Sequence, residues 1–244
     1  MSSRSTSDIV ASGYNTCHAD YTAVRSQDTA PELCLLTTRL PSKATILDIG
    51  CGSGVPVASS LTSQGFHVTG FDISASQIAQ AKINVPAATF FCADMLSATA
   101  EETLAPSSFD AVVAMFSIFH TPREQHGTVL DRIAAWLRPG GYLLMTTVAG
   151  STDDQVPASR SSALVGEVVQ PSAKHFYGVD MYWSSHEDEW YRQELQSRGV
   201  QILAQKAVVA GHELEFKFAD STVDEGKAKH PLLFAKKAPG ASLH

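Results

Sequence analysis

Short apolar runs alternate along this chain with segments whose apolar residues recur at helical spacing. Thr45-Ile46-Leu47-Asp48-Ile49 is rich in β-branched and apolar residues and short enough for a buried parallel strand. Gly50-Cys51-Gly52-Ser53-Gly54 follows at once, and Val55 and Pro56 open a segment with Val57, Ala58 and Leu61 at helical spacing. Proline suits the first turn of a helix because the N–H it lacks would be unpaired there anyway. The unit predicted is strand, glycine loop, helix.

The same order returns downstream. Residues 66–72 read as a second strand, followed by a helix that Ser74 caps and that runs to Ile83. A third strand covers 89–93 and ends at Asp94-Met95, and a fourth covers 109–115. Val129, Ile133, Trp136 and Leu137 then mark the core stripe of a helix that begins after Pro122. Arg138-Pro139-Gly140-Gly141 stops it, and 142–148 form a fifth strand. Beyond a long connection, Ser185 is placed to cap a helix over 187–198, whose acids Glu187, Asp188 and Glu189 sit at the positive end of the helix dipole. A strand over 200–209 and an antiparallel hairpin of 213–218 with 231–235 complete the pattern. Such alternation predicts an α/β fold: a doubly wound, seven-stranded, mostly parallel sheet with helices on both faces.

Two regions stand outside the alternation. Residues 1–7 are Ser/Thr-rich and expected to be disordered. Tyr14 and Tyr21, seven apart, share a face if the segment is helical, and Pro31 starts a helix over 32–40 with Leu33, Leu36 and Leu40 on one side. That face either packs on the domain or closes over a site. The chain therefore divides into a tail and helical lid, 1–40, and a main domain, 41–244. The second region, about 149–186, carries Gly, Ser, Pro and Asp punctuation and then His175, Phe176, Tyr177, Met181, Tyr182, Trp183 and His186. A connection this long in a compact domain usually covers a site. Tyr177, Met181, Tyr182 and Trp183 are its candidates for walling an organic substrate.

The chemistry begins at the glycines. Gly50, Gly52 and Gly54 let a ligand approach main-chain atoms that a Cβ would shield. A dinucleotide loop would place a small residue where Val55 stands, and Asp48 would repel a diphosphate but suit an ammonium group. Asp72 ends the second strand, where a carboxylate can accept from ribose hydroxyls, and the neighbouring Ile73 offers an apolar surface to a base. Asp94 and Met95 end the third strand. Met115 ends the fourth and Phe116, Ser117, Phe119 and His120 follow it, again at the sheet edge where ligands gather in parallel folds. His120 is the candidate general base, since an imidazole titrates near ~6.5.

Composition narrows the partners. In 244 residues, 44% are hydrophobic and 18% charged, which are globular values, and the net charge of -7 disfavours a nucleic-acid backbone as partner. A small molecule is the expected substrate. Cys17, Cys34, Cys51 and Cys92 have no metal-ligand spacing, nor do His175 and His186 with any carboxylate or cysteine, so no metal is expected. Neither a spanning apolar run nor a secretory pattern is visible, which makes the cytoplasm the expected compartment and a membrane no partner.

Asp48-Ile49-Gly50-Cys51-Gly52-Ser53-Gly54 resembles the first motif of the class I S-adenosylmethionine-dependent methyltransferases. Leu137-Arg138-Pro139-Gly140-Gly141-Tyr142-Leu143-Leu144 continues the likeness. Gly178-Val179-Asp180-Met181-Tyr182-Trp183-Ser184 resembles a sub-group of bacterial and fungal small-molecule methyltransferases, and Tyr14 with Ala19 and Tyr21 is similar to their N-terminal lids. The resemblance implies S-adenosyl-L-methionine as cofactor, S-adenosyl-L-homocysteine as product, and in-line transfer of the methyl group to a small acceptor of secondary metabolism by a monomer or homodimer. It implies that Asp48, Gly50, Cys51, Gly52, Gly54, Asp72, Ile73, Asp94, Met95, Met115 and Phe116 hold the cofactor. Tyr14, Tyr21, Phe119, His120, Tyr177, Met181, Tyr182 and Trp183 would then meet the acceptor. Three rivals stay open: a nucleotide-dependent oxidoreductase, a nucleic-acid methyltransferase, and a non-methylating enzyme or partner subunit that retains cofactor binding.

Overall fold

The computed structural model describes residues 4–24, 31–147, 168–170, 177–208, 217–218 and 230–240. Helix α1 (Thr6–Val24) comes first, then a 3-10 turn at Pro31–Leu33 and the short α2 (Cys34–Thr37). The repeating units are β1 (Thr45–Ile49) with α3 (Val57–Ser63), β2 (His67–Asp72) with α4 (Ala75–Asn84), β3 (Thr89–Cys92) with α5 (Ala98–Thr103), and β4 (Phe109–Ala114) with α6 (His126–Trp136). Next come β5 (Leu137–Thr146), β6 (Val168–Gln170) paired with β7 (Met181–Trp183), α7 (Asp188–Ser197), β8 (Val200–Val208), β9 (Lys217–Phe218) and β10 (His230–Lys237).

The main sheet runs β3-β2-β1-β4-β5-β10-β8-β9. Strands β1 to β5 are parallel, and β10 lies antiparallel between β5 and β8. Seven strands make the body of the sheet, and β9 adds two residues at its edge. Chain order reverses beside β1, whose neighbours are β2 and β4, so a crevice opens at the carboxyl ends of these strands. Alternation along β1 sends Leu47 and Ile49 to one face, with α6, α7, Trp136 and Tyr191, and Ile46 to the other, with α2, α3 and α4. The sheet is thus buried on both faces, as parallel strands require.

Several expectations need correction. Helix α1 begins at Thr6, so the chain is ordered within the stretch expected to be disordered. Asp8 at its start accepts from the Ser5 hydroxyl at 2.7 Å, while Asn15 Oδ1 accepts from Ser74 Oγ at 2.8 Å and from the Ser76 N–H at 3.1 Å, which pins α1 to the start of α4. Of the expected 213–218 arm only Lys217 and Phe218 are described, and these do not pair with β10, because β8 lies between β9 and β10. Helix α2 is only four residues long. Strand pairing in β5 starts at Leu137 opposite Phe109 and resumes at Tyr142 opposite Ala111, so the Arg138–Gly141 turn interrupts the ladder instead of preceding it. Ser185 does not cap α7; its hydroxyl donates to the His186 carbonyl, and Glu187 takes the N-cap position. Ser74 does cap α4, accepting from the Gln77 N–H at 3.2 Å. The expectations for residues 148–167, 171–176, 209–216 and 219–229 lie outside the described residues.

Candidate functional site

A cleft of about 690 Å³ lies at the carboxyl ends of β1, β2, β3 and β4. The loop after β1 forms its floor. Gly50 has φ +70°, and a Cβ there would lie 2.4 Å from the Ser117 Cβ, so only glycine allows the β1 loop and the β4 loop to touch. The Gly52 N–H donates to Asp72 Oδ2 at 2.9 Å, and the Ser74 N–H donates to Asp72 Oδ1 at 2.9 Å. Two main-chain donors therefore aim the carboxylate. Gly54 faces Val85 and Phe90, where it serves packing and does not border the cleft.

Asp48 is buried and borders a smaller hollow of about 330 Å³ that shares Tyr21, Gly50, Gly52 and Met115 with the main cleft and also meets Cys51. Burial, then the nearby Asp48 and Asp72 carboxylates, push the Cys51 thiol well above its ordinary range, so it stays protonated. Asp94 Oδ1 accepts from the Leu96 N–H at 2.8 Å, and its other oxygen accepts from the Ser7 hydroxyl of α1. At the end of β4, Phe116 is held at φ 56°, an uncommon conformation for a bulky residue, while its N–H donates to Thr146 Oγ1.

His120 sits in a 3-10 turn, Ile118–His120, almost wholly buried. Its Nε2 is 2.8 Å from the Tyr14 hydroxyl and its Nδ1 2.8 Å from the Tyr182 carbonyl oxygen. Rings surround it: Trp183 at 4.5 Å between centroids, Phe119 at 4.8 Å and Tyr14 at 5.4 Å. Behind it lies a second polar cluster. His126 Nε2–H donates to the Thr121 carbonyl at 3.1 Å, which leaves Nδ1 to accept from the Tyr191 hydroxyl at 2.8 Å. Desolvation lowers His126 to about 4 and raises Tyr191 to about 12, so both are neutral. Ser184 donates to the same Thr121 carbonyl at 2.6 Å, so this cluster braces the segment that follows His120.

Of the residues assigned to the cofactor from sequence, Gly50, Gly52, Asp72, Ile73, Asp94, Met95, Met115 and Phe116 border the main cleft; Asp48 and Cys51 border the smaller hollow. Of those assigned to the acceptor, Tyr14, Tyr21 and His120 border the cleft. The other five lie elsewhere. Phe119 is buried and stacks on Trp183 at 5.1 Å, Met181 and Tyr182 are buried against Val10 of α1, and the half-exposed Tyr177 meets Tyr21 edge-on at 5.7 Å. Among the described residues, the insert supports the wall instead of forming it.

Sequence reasoning missed Ser7, Val10 and Gln77, all of which border the cleft. Ser7, Val10, Tyr14 and Tyr21 follow one helical face, a signal obscured by the expectation of a disordered start. Gln77 Oε1 and Ser117 Oγ are buried with no hydrogen-bond partner among the described residues. Buried polar atoms are costly unless satisfied, and a polar ligand in the cleft would satisfy these two. Among the described residues no group of three or more His, Cys, Asp or Glu side chains could hold a metal ion, and no helix is long and apolar enough to cross a membrane.

Residues 46–141, from β1 into the β5 turn, match the family model described as a methyltransferase domain. The chain is 38% identical over 103 residues to a ubiquinone biosynthesis O-methyltransferase of Nitrobacter winogradskyi, a match covering 42% of this chain and 38% of the relative. Across such curated relatives the match spans between 38% and 56% of their length. Solved structures share the fold. An S-adenosylmethionine-dependent methyltransferase of Methanosarcina mazei matches 87% of this chain and 99% of its own with a TM-score of 0.63 at 17% identity. The 1,6-didemethyltoxoflavin-N1-methyltransferase of Burkholderia thailandensis, solved with bound 1,6-didemethyltoxoflavin and S-adenosylhomocysteine, matches 93% of this chain and 84% of its own with a TM-score of 0.59 at 17% identity.

Proposed function

We propose that this chain binds S-adenosyl-L-methionine in the cleft and transfers its methyl group to a small organic acceptor, releasing S-adenosyl-L-homocysteine. The observation that carries the reading is the placement of Asp48, Asp72 and Asp94 at or near the carboxyl ends of β1, β2 and β3 around one glycine loop. The residues fit the cofactor. Asp72, aimed by two N–H groups, suits a ribose diol; Asp94 suits the amino edge of adenine; Ile73 and Met95 suit its faces. Asp48 and the Gly50 backbone suit the ammonium end, and the buried Ser117 and Gln77 oxygens suit polar atoms between.

The bound cofactor supplies an electrophilic methyl on a sulfonium. The protein supplies position and dryness. Helix α1 lends Val10, Tyr14 and Tyr21 to the cleft lining, and the 3-10 turn lends His120, which bonds Tyr14. Holding two reactants in line can lower a barrier by about 7–11 kcal/mol at best, so placement is the largest contribution required. His120 would accept a proton only from acceptors that must lose one.

Calorimetric titration tests the reading. Micromolar binding of S-adenosylmethionine and S-adenosylhomocysteine, none of NAD, and loss of both in Asp72→Ala are expected. NAD binding without adenosyl-sulfur ligand binding would refute it. Cofactor binding with no methylated product from any acceptor would favour the non-methylating role, for which the fold has a structural relative named as a [4+2]-cyclase, TM-score 0.64.

A further inference from the structure

The Tyr14 and His120 side chains meet across 106 positions of sequence. A carbonyl oxygen only accepts, so the 2.8 Å contact with Tyr182 fixes the proton of neutral His120 on Nδ1. Its Nε2 lone pair is then left to accept from the Tyr14 hydroxyl. Tyr14 and His120 border the cleft, while the Tyr182 side chain and backbone are buried behind the imidazole. Trp183 and Phe119 pack around the ring and hold its plane. The result is a fixed, two-member hydrogen-bond chain that starts at the cleft and ends at a main-chain acceptor.

We propose that Tyr14 and His120 are a proton relay and that the acceptor is a neutral phenolic hydroxyl, methylated on oxygen. The inference rests on the reading that the cleft binds S-adenosylmethionine. A neutral amine attacks with its own lone pair and sheds its proton afterwards, and a thiol is partly ionised near neutrality, so neither requires an oriented base. A phenol, with a pKa of about 10, does. Charge points the same way. The described lining holds the carboxylates of Asp72 and Asp94 and no Lys or Arg, so an acceptor bearing a carboxylate or phosphate would meet repulsion and no Lys or Arg partner among the described residues. Val10, Met95, Leu96 and Pro122 give the lining an apolar share that suits an aromatic ring.

The step balances within the site. The acceptor O–H bond breaks as its proton passes to the Tyr14 oxygen, while the Tyr14 proton passes to His120 Nε2. An oxygen electron pair forms the new O–CH3 bond, and the S–CH3 bond of the S-adenosylmethionine sulfonium breaks with its pair left on sulfur. One proton ends on His120, whose Nδ1–H stays on the Tyr182 carbonyl, and it later leaves to water.

Catechol, 4-nitrophenol, aniline and thiophenol test this, with wild type, Tyr14→Phe and His120→Asn. Phenylalanine keeps the ring contact with Tyr21, and titration with S-adenosylhomocysteine reports whether each variant keeps a folded cofactor site. The expected result is methylation of the two phenols in preference to aniline and thiophenol. Each variant should lose about 10²-fold in rate on catechol, which needs a base, and far less on the readily ionised 4-nitrophenol. A second readout is independent of turnover: 4-nitrophenol bound to the S-adenosylhomocysteine complex below its solution pKa should show phenolate absorption in wild type and lose it in both variants. Preference for aniline or thiophenol, equal losses on both phenols, no phenolate band, or cofactor binding without phenol methylation would each overturn the relay and leave the cofactor reading standing. Absence of S-adenosylhomocysteine binding in wild type would overturn both.

Discussion

The Gly52 N–H donates to the Asp72 carboxylate at 2.9 Å, tying the loop after β1 to the end of β2. The same carboxylate accepts from Ser74 at the start of α4. One acid thereby sets the relative positions of a loop, a strand end and a helix N-terminus before any ligand arrives, and such preorganisation reduces the ordering cost of binding.

Gly50 is the point of closest approach in that arrangement. Its φ of +70° and the 2.4 Å that a Cβ would leave to Ser117 Cβ make Gly50→Ala a steric and conformational error at once. The expected outcome is a fall in S-adenosylmethionine affinity of at least about tenfold, roughly 1.4 kcal/mol, with unfolding lowered by about 1–3 kcal/mol. Titration calorimetry and urea unfolding would check the two parts separately.

Helix α1 closes one side of the cleft by approaching the insert closely. A Cβ on Gly13 would lie 2.8 Å from the Asp180 carbonyl oxygen, which is backbone and yields little, and 2.8 Å from Met181 Cε. Gly13→Ala should lift α1 from β7 in spite of alanine's better helix propensity. Amide hydrogen exchange across Thr6–Val24 should quicken about tenfold, while the central strands β1 and β4 exchange as before.

Buried His126 makes stability depend on pH. Desolvation holds its folded pKa at about 4, against 6.5 for the ordinary group. Between those values the unfolded chain binds a proton that the folded protein refuses, so stability is full above about pH 6.5 and falls as pH drops towards 4, by about 3 kcal/mol for this group. Asp110 acts with the same sign at lower pH: burial raises its pKa, but the Thr45 N–H and Arg138 together hold it below the ordinary value. The difference between wild type and His126→Gln isolates the histidine. Urea unfolding of the variant should show a clearly flatter loss between neutral and mildly acidic pH.

Much of this arrangement was legible in the sequence, and the rest was not for definable reasons. Asp48, the glycine loop, Asp72 and Asp94 could be read because residue type and position at strand ends are local properties. The pairing of Tyr14 with His120 could not, since it joins residues 106 apart. Tyr182 acts through its carbonyl, which every residue carries, so its side chain misled: the ring is buried and the main chain holds the imidazole. Strand existence was readable for β8 and β10, but their order was not. Apolar alternation shows that a segment forms a strand and says nothing of its neighbour, and β8 took the place expected for a hairpin partner.

The most direct measurement is a crystal structure of the protein with S-adenosylhomocysteine. The expected result has the ribose diol on Asp72, the adenine amino edge at Asp94 with Ser7 yielding its bond, and the amino-acid end beside Asp48 and Gly50. An adenosyl group bound outside this cleft, or turned with its ribose away from Asp72, would contradict the site described.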